Sequence, residues 1–276
     1  GKFKANINFD DKHLIINNNK ITFSQETELK NINWKKFDVD YVFECTGKFN
    51  SKDKLEPHLK NGAKKVLVSA PCKNADKTIV FGVNESELKK DDKIISAASC
   101  TTNCLAPVAH VLNENFEIEK GFMTTIHAFT SDQRILDNSH KDPRRARSAS
   151  QSIVPSSTGA SKAIGEIIPS LKGKLQGVAM RVPIPNVSLI ELVFCTKKDL
   201  NIEKINLAFQ NFSKKSKVLE ITQEKLVSID YNHNPASSII DANLTNVVGK
   251  NMGKISAWYD NEWGFSNRMC DIAEYL

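Results

Sequence analysis

Several patterns are missing from this 276-residue chain, and each absence narrows what it does. No apolar run approaches the roughly 18 residues that cross a bilayer, and no secretory apolar segment stands near Gly1. Cys45, Cys72, Cys100, Cys104, Cys195 and Cys270 are too sparse and irregular for a disulfide framework in a chain this long. A reducing, cytoplasmic setting is the expectation. Cys100 and Cys104 form a C-x3-C pair without the second Cys/His cluster that zinc sites use, so no metal is expected. Charge of one sign is not gathered into stripes either. The net charge is +6, but the lysines are scattered, and the one dense basic cluster is Lys141, Arg144, Arg145 and Arg147. A nucleic-acid face would show several such clusters, so dedicated nucleic-acid binding is not expected and a small anionic ligand explains the cluster better. The 12 glycines nowhere form G-x-G-x-x-G or another phosphate-cradling loop.

What is present begins with Ser96-Ala-Ala-Ser-Cys100-Thr-Thr-Asn-Cys104. Ile94, Ile95, Ala97 and Ala98 suit a buried strand, and Leu105, Val108, Ala109 and Leu112 follow the spacing of one helical face. Cys100 therefore falls at a strand-to-helix junction, in the first turn of a helix starting around Thr101. Unpaired amides and the macrodipole at a helix start favour an anion, so a thiol there is expected to have a lowered pKa. A buried small side chain would fit the same position, and fits Cys104 better. Further on, Phe122, Thr124 and Ile126 alternate with Met123, Thr125 and His127, a strand pattern with an imidazole near its end. A strand histidine is usually structural, but a Cys/His pair is also the arrangement that activates a thiol.

Residues 1–99 alternate strands and helices, as a parallel sheet requires. A strand through Tyr41-Val42-Phe43 ends at Cys45-Thr46-Gly47, a helix covers Leu55 to Leu59, and Val66-Leu67-Val68 opens a strand into Ser69-Ala70-Pro71. After Cys100 the stretches become longer and β-rich, as in Val187 to Phe194, suggesting a mostly antiparallel sheet with helices on it. Ser131 to Ser157 is polar and without periodicity, which predicts a long functional loop. Thr158-Gly159 precedes a helical run from Ala160 to Ile168, and a helix start with hydroxyl and amide donors binds anions. Phe265, Met269, Ile272 and Leu276 mark an amphipathic final helix.

Taken together, six segments resemble the signature stretches of phosphorylating glyceraldehyde-3-phosphate dehydrogenase, in that family's order and spacing. They are Ser99-Cys-Thr-Thr-Asn-Cys104, His127-Ala-Phe-Thr-Ser-Asp-Gln133, Arg144-Arg-Ala-Arg147, Ser157-Thr-Gly-Ala160, Arg181-Val-Pro183 and Trp258-Tyr-Asp-Asn-Glu-Trp-Gly264. The resemblance implies an α/β fold: a partial Rossmann-like dinucleotide-binding domain, residues 1–99 with 263–276, whose first strand and Gly-rich loop are missing. Residues 100–262 would form an α+β catalytic domain. It also implies an N-terminally truncated piece, impaired in catalysis and in dinucleotide binding as given.

The resemblance further implies a Cys100 thiolate that forms a hemithioacetal and then a thioester, with His127 stabilising the thiolate and acting as general base. Thr130, Asp132 and Arg181 would surround the phosphate of the aldehyde substrate, Asp132 orienting Arg181. Ser99, Thr101, Arg145, Thr158 and Gly159 would hold inorganic phosphate. Thr46, Gly47, Ser69, Ser139 and Asn261 would lie along NAD or NADP, with Asn261 orienting the nicotinamide. A homotetramer is implied too, the Ser131–Ser157 loop reaching a neighbour's cofactor.

Some residues depart from the family. Phe265 stands where Tyr is common, and Ser24-Gln-Glu-Thr-Glu28 lacks an Arg common near Thr27. Asp137-Asn-Ser139-His140 replaces the Leu-Pro pair of NAD-specific members and resembles the small polar pair of NADP-using forms. NAD is favoured, with NADP use expected as well. The competing readings are an erythrose-4-phosphate dehydrogenase of the same family that hydrolyses the thioester, a non-catalytic fragment, and, less well, a cysteine hydrolase. Intact Thr130 and Ser157-Thr158-Gly159 argue against the first of these.

Overall fold

The computed structural model describes residues 3–276. It opens with a small antiparallel sheet of β1 (Ile7–Phe9), β2 (His13–Ile16) and β3 (Asn19–Thr22). A parallel sheet follows, from β4 (Tyr41–Glu44), β5 (Lys65–Val68), β6 (Lys77–Thr78) and β7 (Ile94–Ser96), in the spatial order β4-β5-β7-β6. Helix α1 (Lys52–Lys60) connects β4 to β5. Leu55 of α1 packs with Val42, Val66, Val68 and Ile94 in one core cluster. The carboxyl ends of β4, β5 and β7 deliver Thr46, Ser69 and Cys100 in turn, the edge where parallel α/β sheets bind ligands.

The second layer system is built on α2 (Cys100–Phe116), β8 (Ile118–Ala128), β9 (Val154–Ser157), α3 (Ala160–Ile167), β10 (Leu175–Val182), β11 (Ser188–Thr196) and α4 (Ile202–Ser213). It is completed by β12 (Leu219–Thr222), β13 (Ser238–Asp241), β14 (Asn246–Val248) and β15 (Met252–Tyr259). Its sheet runs β12-β13-β15-β11-β8-β10-β9 with β14 beside β15, and is antiparallel except for β12–β13 and β8–β10. Burial alternates strictly along β11, because Ile190, Leu192 and Phe194 face the helices. Leu105 and Leu112 of α2, Ile164 of α3 and Phe209 of α4 close the same core.

Helix α5 (Trp263–Tyr275) returns to the parallel sheet, where Met269 and Ile272 pack with Leu67, Ile79, Ile95 and Ala97. The stretch expected as one loop from Ser131 to Ser157 ends earlier, since Val154–Ser157 pairs with β10 as an edge strand. The rest is irregular but cross-tied: the Arg134 amide donates to the Arg145 carbonyl at 3.1 Å, and the Ala149 amide to the Arg134 carbonyl at 2.8 Å. Among the described residues no helix is long and apolar enough to cross a membrane.

Candidate active site

Cys100 stands in the first turn of α2 because the chain turns sharply from β7. Ala98 takes a left-handed backbone (φ 59°), and Ser99 is extended. Ser99 Oγ accepts from the Thr102 amide at 3.1 Å and pairs with Thr102 Oγ1 at 2.8 Å, so the hydroxyl expected at a phosphate is engaged as the helix cap. Asn103 Nδ2 donates back to the Ala97 and Ser99 carbonyls at 2.8 and 2.9 Å, fixing the junction. Cys104 is fully buried one turn on.

His127, near the end of β8, places Nε2 3.4 Å from Cys100 Sγ. Beneath the ring, Tyr259 makes an edge contact and its hydroxyl pairs with Thr101 Oγ1 and Thr125 Oγ1, each at 2.9 Å. Thr101, expected at inorganic phosphate, is therefore also part of the floor under His127. The parallel register of β8 and β10 sets Arg181 directly opposite His127. Arg181 Nη1 lies 2.7 Å from His127 Nδ1 and donates to the Ala128 carbonyl at 3.0 Å. Nδ1 is also 2.7 Å from that carbonyl. The two contacts call for opposite tautomers: the guanidinium only donates and needs an unprotonated Nδ1, which leaves the ring proton on Nε2 toward the thiol, whereas the carbonyl only accepts and needs Nδ1–H, which leaves Nε2 as an acceptor.

The electrostatics correct the expectation of a thiol acidified by its helix and by a cationic histidine. Burial pushes the Cys100 thiol up, although Arg181 and the hydroxyl and amide of the first helical turn pull it down. His127 is pushed down to about 3, first by burial and then by the Arg181 charge, against the opposing pull of the Ala128 carbonyl. Burial thus favours the neutral thiol–imidazole pair, and the Arg181 charge acts on both groups.

Asp132 does not orient Arg181. It pairs with Arg145 Nη1, because the loop cross-ties carry Arg145 to it. Arg145 Nε sits 3.4 Å from Asp142 without a hydrogen bond. Thr130 is held by Gln133, whose buried Oε1 accepts from the Thr130 amide at 3.0 Å and hydroxyl at 3.1 Å. Arg181 Nε and Arg145 Nε are both buried donors without a hydrogen-bond partner, and guanidinium groups are suited to anions. Helix α3 starts after Gly159, where an added Cβ would meet nothing, and Thr158 Oγ1 accepts from the Ala160 amide at 3.2 Å.

The donor set also fits a nicotinamide dinucleotide. Asn261 Oδ1 accepts from Ser188 Oγ at 2.8 Å, while Ser188 Oγ accepts from the Ala128 amide at 3.1 Å. This fixes the Asn261 amide relative to His127 and leaves its Nδ2 for a carboxamide oxygen. Gly47, in a left-handed conformation (φ 71°), has open space where a Cβ would point. The Ser69 amide donates to the Glu44 carbonyl at 3.0 Å, linking the turns after β4 and β5. Ser139 is exposed in the long loop, its amide on Asn138 Oδ1 at 2.7 Å and its carbonyl accepting from Arg134 Nε at 3.0 Å, and among the described residues it shares no hydrogen bond with the other expected cofactor residues. Among the described residues no group of His, Cys, Asp or Glu could hold a metal ion.

Sequence reasoning missed Asn103, Gln133, Ser188 and Tyr259. Each lies inside a segment that had been singled out or on a neighbouring strand, but only tertiary pairing reveals its partner.

Two family descriptions match this chain: glyceraldehyde 3-phosphate dehydrogenase, NAD binding domain, over residues 1–52, and glyceraldehyde 3-phosphate dehydrogenase, C-terminal domain, over residues 99–261. Glyceraldehyde-3-phosphate dehydrogenase 2 of Bacillus subtilis is 49% identical over 279 residues, covering 100% of this chain and 82% of the relative. The glyceraldehyde-3-phosphate dehydrogenases of Zymomonas mobilis and Pseudomonas aeruginosa are 48% and 49% identical, over 100% and 99% of this chain and 83% and 81% of theirs.

Proposed function

This chain belongs to the glyceraldehyde 3-phosphate dehydrogenase family, and on that footing we propose how its residues carry the reaction. The activity is the oxidation of glyceraldehyde 3-phosphate, with inorganic phosphate, to 1,3-bisphosphoglycerate. The single observation carrying the assignment of roles is the 3.4 Å approach of Cys100 Sγ to His127 Nε2, with Arg181 on the far side of the ring. Residues 1–99 with 263–276 form the remainder of the cofactor-binding domain, and residues 100–262 the catalytic domain, which also contributes Asn261 to the cofactor.

Arg181 is the hinge of the mechanism. When it turns its guanidinium to the substrate phosphate, beside Thr130, His127 Nδ1 is free to donate to the Ala128 carbonyl. Nε2 then becomes an acceptor, takes the Cys100 proton, and the sulfur adds to the aldehyde carbon. The proton passes to the aldehyde oxygen, giving the hemithioacetal. His127 next removes that hydroxyl proton as the C–H hydride departs, leaving a thioester on Cys100. NAD(P), when bound, supplies the hydride acceptor, and Asn261, Thr46, Gly47 and Ser69 are the residues that would hold it. Inorganic phosphate, met by Arg145, Thr158, Gly159, Thr101 and the capped turn at Ser99, attacks the thioester carbon; the C–S bond breaks and the thiolate is restored.

Asp132 supports this indirectly, by holding Arg145. A homotetramer in the cytoplasm is part of the same proposal. Its support is the exposed apolar set Leu136 and Ile153 in the loop with Phe122 and Val248 on the open sheet face, and six free cysteines. Preference between NAD and NADP belongs to Ser139, reaching a neighbour's site.

The test is dependence on phosphate. Full-length protein given glyceraldehyde 3-phosphate and NAD without phosphate or arsenate should reduce about one cofactor per site and stall, and phosphate should restart it with acyl phosphate as product. A steady rate without phosphate would favour thioester hydrolysis and remove phosphorolysis.

A further inference from the structure

A buried polar chain lies under the turn after β4 that the mechanism above does not use. Trp34 Nε1 donates to His58 Nδ1 at 3.0 Å, and His58 Nε2 lies 3.2 Å from Glu44 Oε2. Glu44 Oε1 accepts from the Thr46 amide at 2.8 Å and from the Thr46 hydroxyl. His58 and Glu44 are 2% and 4% exposed, too little for water to satisfy them. An indole only donates, so His58 Nδ1 must accept and Nε2 must carry the proton to Glu44. Donors therefore converge on the carboxyl from both ends and hold it as an acceptor.

We propose that Trp34, His58 and Glu44 are a positioning relay that presents the Thr46–Gly47 turn to a sugar hydroxyl of the dinucleotide. The Thr46 hydroxyl hydrogen is committed to Glu44, and one of its lone pairs receives the Lys48 amide at 3.2 Å. One acceptor site remains, suited to a ligand O–H and unsuited to a phosphate oxygen. The backbone carbonyl of Glu44 also receives the Ser69 amide at 3.0 Å, so the same residue sets the second cofactor turn. A buried polar chain is seldom the most stable filling for a core, and apolar residues of similar size often do as well. Placement of the turn is what this one provides.

The inference rests on the reading of Thr46 and Gly47 as cofactor contacts, and the experiment separates the two. In full-length protein, equilibrium NAD binding is measured by calorimetry and exchange of the Thr46 and Ser69 amides by hydrogen–deuterium exchange without cofactor. His58→Leu should weaken NAD binding about tenfold and speed exchange at both amides, with the iodoacetamide rate of Cys100 unchanged. His58→Gln, whose amide can accept from Trp34 and donate to Glu44, should restore both. Trp34→Phe, which removes only the first donor, gives the same test if His58→Leu does not fold. Thr46→Val should weaken NAD binding and Thr46→Ser should keep it. Wild-type affinity in Thr46→Val would overturn the cofactor reading of the turn. Weakened binding in Thr46→Val with none in His58→Leu or Trp34→Phe, or no rescue by His58→Gln, would overturn the relay.

Discussion

Replacing Arg181 with leucine separates two tasks that the proposed mechanism places on one guanidinium. Toward the phosphorylated aldehyde, the variant loses a charged hydrogen-bond partner, about 1.5–3 kcal/mol. KM should rise roughly ten- to a hundredfold. Toward His127 the effect is electrostatic, because Nη1 lies 2.7 Å from Nδ1. A unit charge about 3 Å away is worth roughly 5 kcal/mol at an effective dielectric near 20, and even a third of that exceeds one pKa unit, about 1.4 kcal/mol. The sign is fixed: burial first, and then the cation beside the ring, disfavour imidazolium and hold His127 down to about 3. Removing it lets the imidazole titrate higher, toward its ordinary 6.5. A general base must be neutral, so the variant should lose activity on the acid side earlier. The assay is the pH dependence of kcat/KM with unphosphorylated glyceraldehyde, which has no phosphate for Arg181 to hold. The acid limb of Arg181→Leu should lie about one unit or more above that of the parent. Coincident acid limbs would refute the coupling of Arg181 to His127.

What the sequence disclosed and what it hid divide along the distance between partners. The start of α2 was readable because Leu105, Val108, Ala109 and Leu112 keep a helical period right after a run of small and β-branched residues. β8 and β11 were readable because one face of each is buried and the other is not. The separation into a parallel and a mostly antiparallel sheet followed from spacing and strand length. The pairing of Arg181 with His127 depends on the register of two parallel strands, which no local pattern encodes. The same holds for Asp132: a carboxylate near two arginines has no local preference between them, and the cross-ties of the loop decide for Arg145. The thiol was read from its helix and from a histidine partner, and burial outweighs the pull of the first helical turn. Trp34, His58 and Glu44 sit in three different elements, and nothing in their own segments marks them as a set.

Cys100→Ser should abolish aldehyde oxidation and iodoacetamide labelling together, whereas Cys104→Ser, altering a thiol buried against the Ala257 carbonyl, should keep most of both; reversed outcomes would move the nucleophile to Cys104. His127 is held neutral in the fold down to about 3 but titrates near 6.5 when unfolded, so its contribution to stability is full above 6.5 and lost as the pH falls toward 3. Urea midpoints for His127→Asn should therefore fall less steeply with acid than the parent's, by up to about 1.4 kcal/mol per pH unit, and parallel slopes would exclude a buried neutral imidazole. Arg145→Leu should weaken use of inorganic phosphate more than binding of the aldehyde, visible as a raised KM for phosphate; an unchanged value would take Arg145 out of that site. In the proposed function the choice of cofactor turns on Ser139, which is exposed and carries a hydroxyl where a Leu-Pro pair would present bulk and no side-chain donor. NADP bears a dianionic phosphate on its adenosine ribose, and a lost hydrogen bond to a charged group corresponds to roughly 1.5–3 kcal/mol, or about tenfold or more in affinity. Ser139→Pro also removes the amide that donates to Asn138, so Ser139→Ala, which keeps that bond, isolates the hydroxyl. Both variants should lower NADP affinity in the full-length assembly by about tenfold with NAD little changed. An NADP-to-NAD ratio that stays constant across parent, alanine and proline forms would remove Ser139 from cofactor selection.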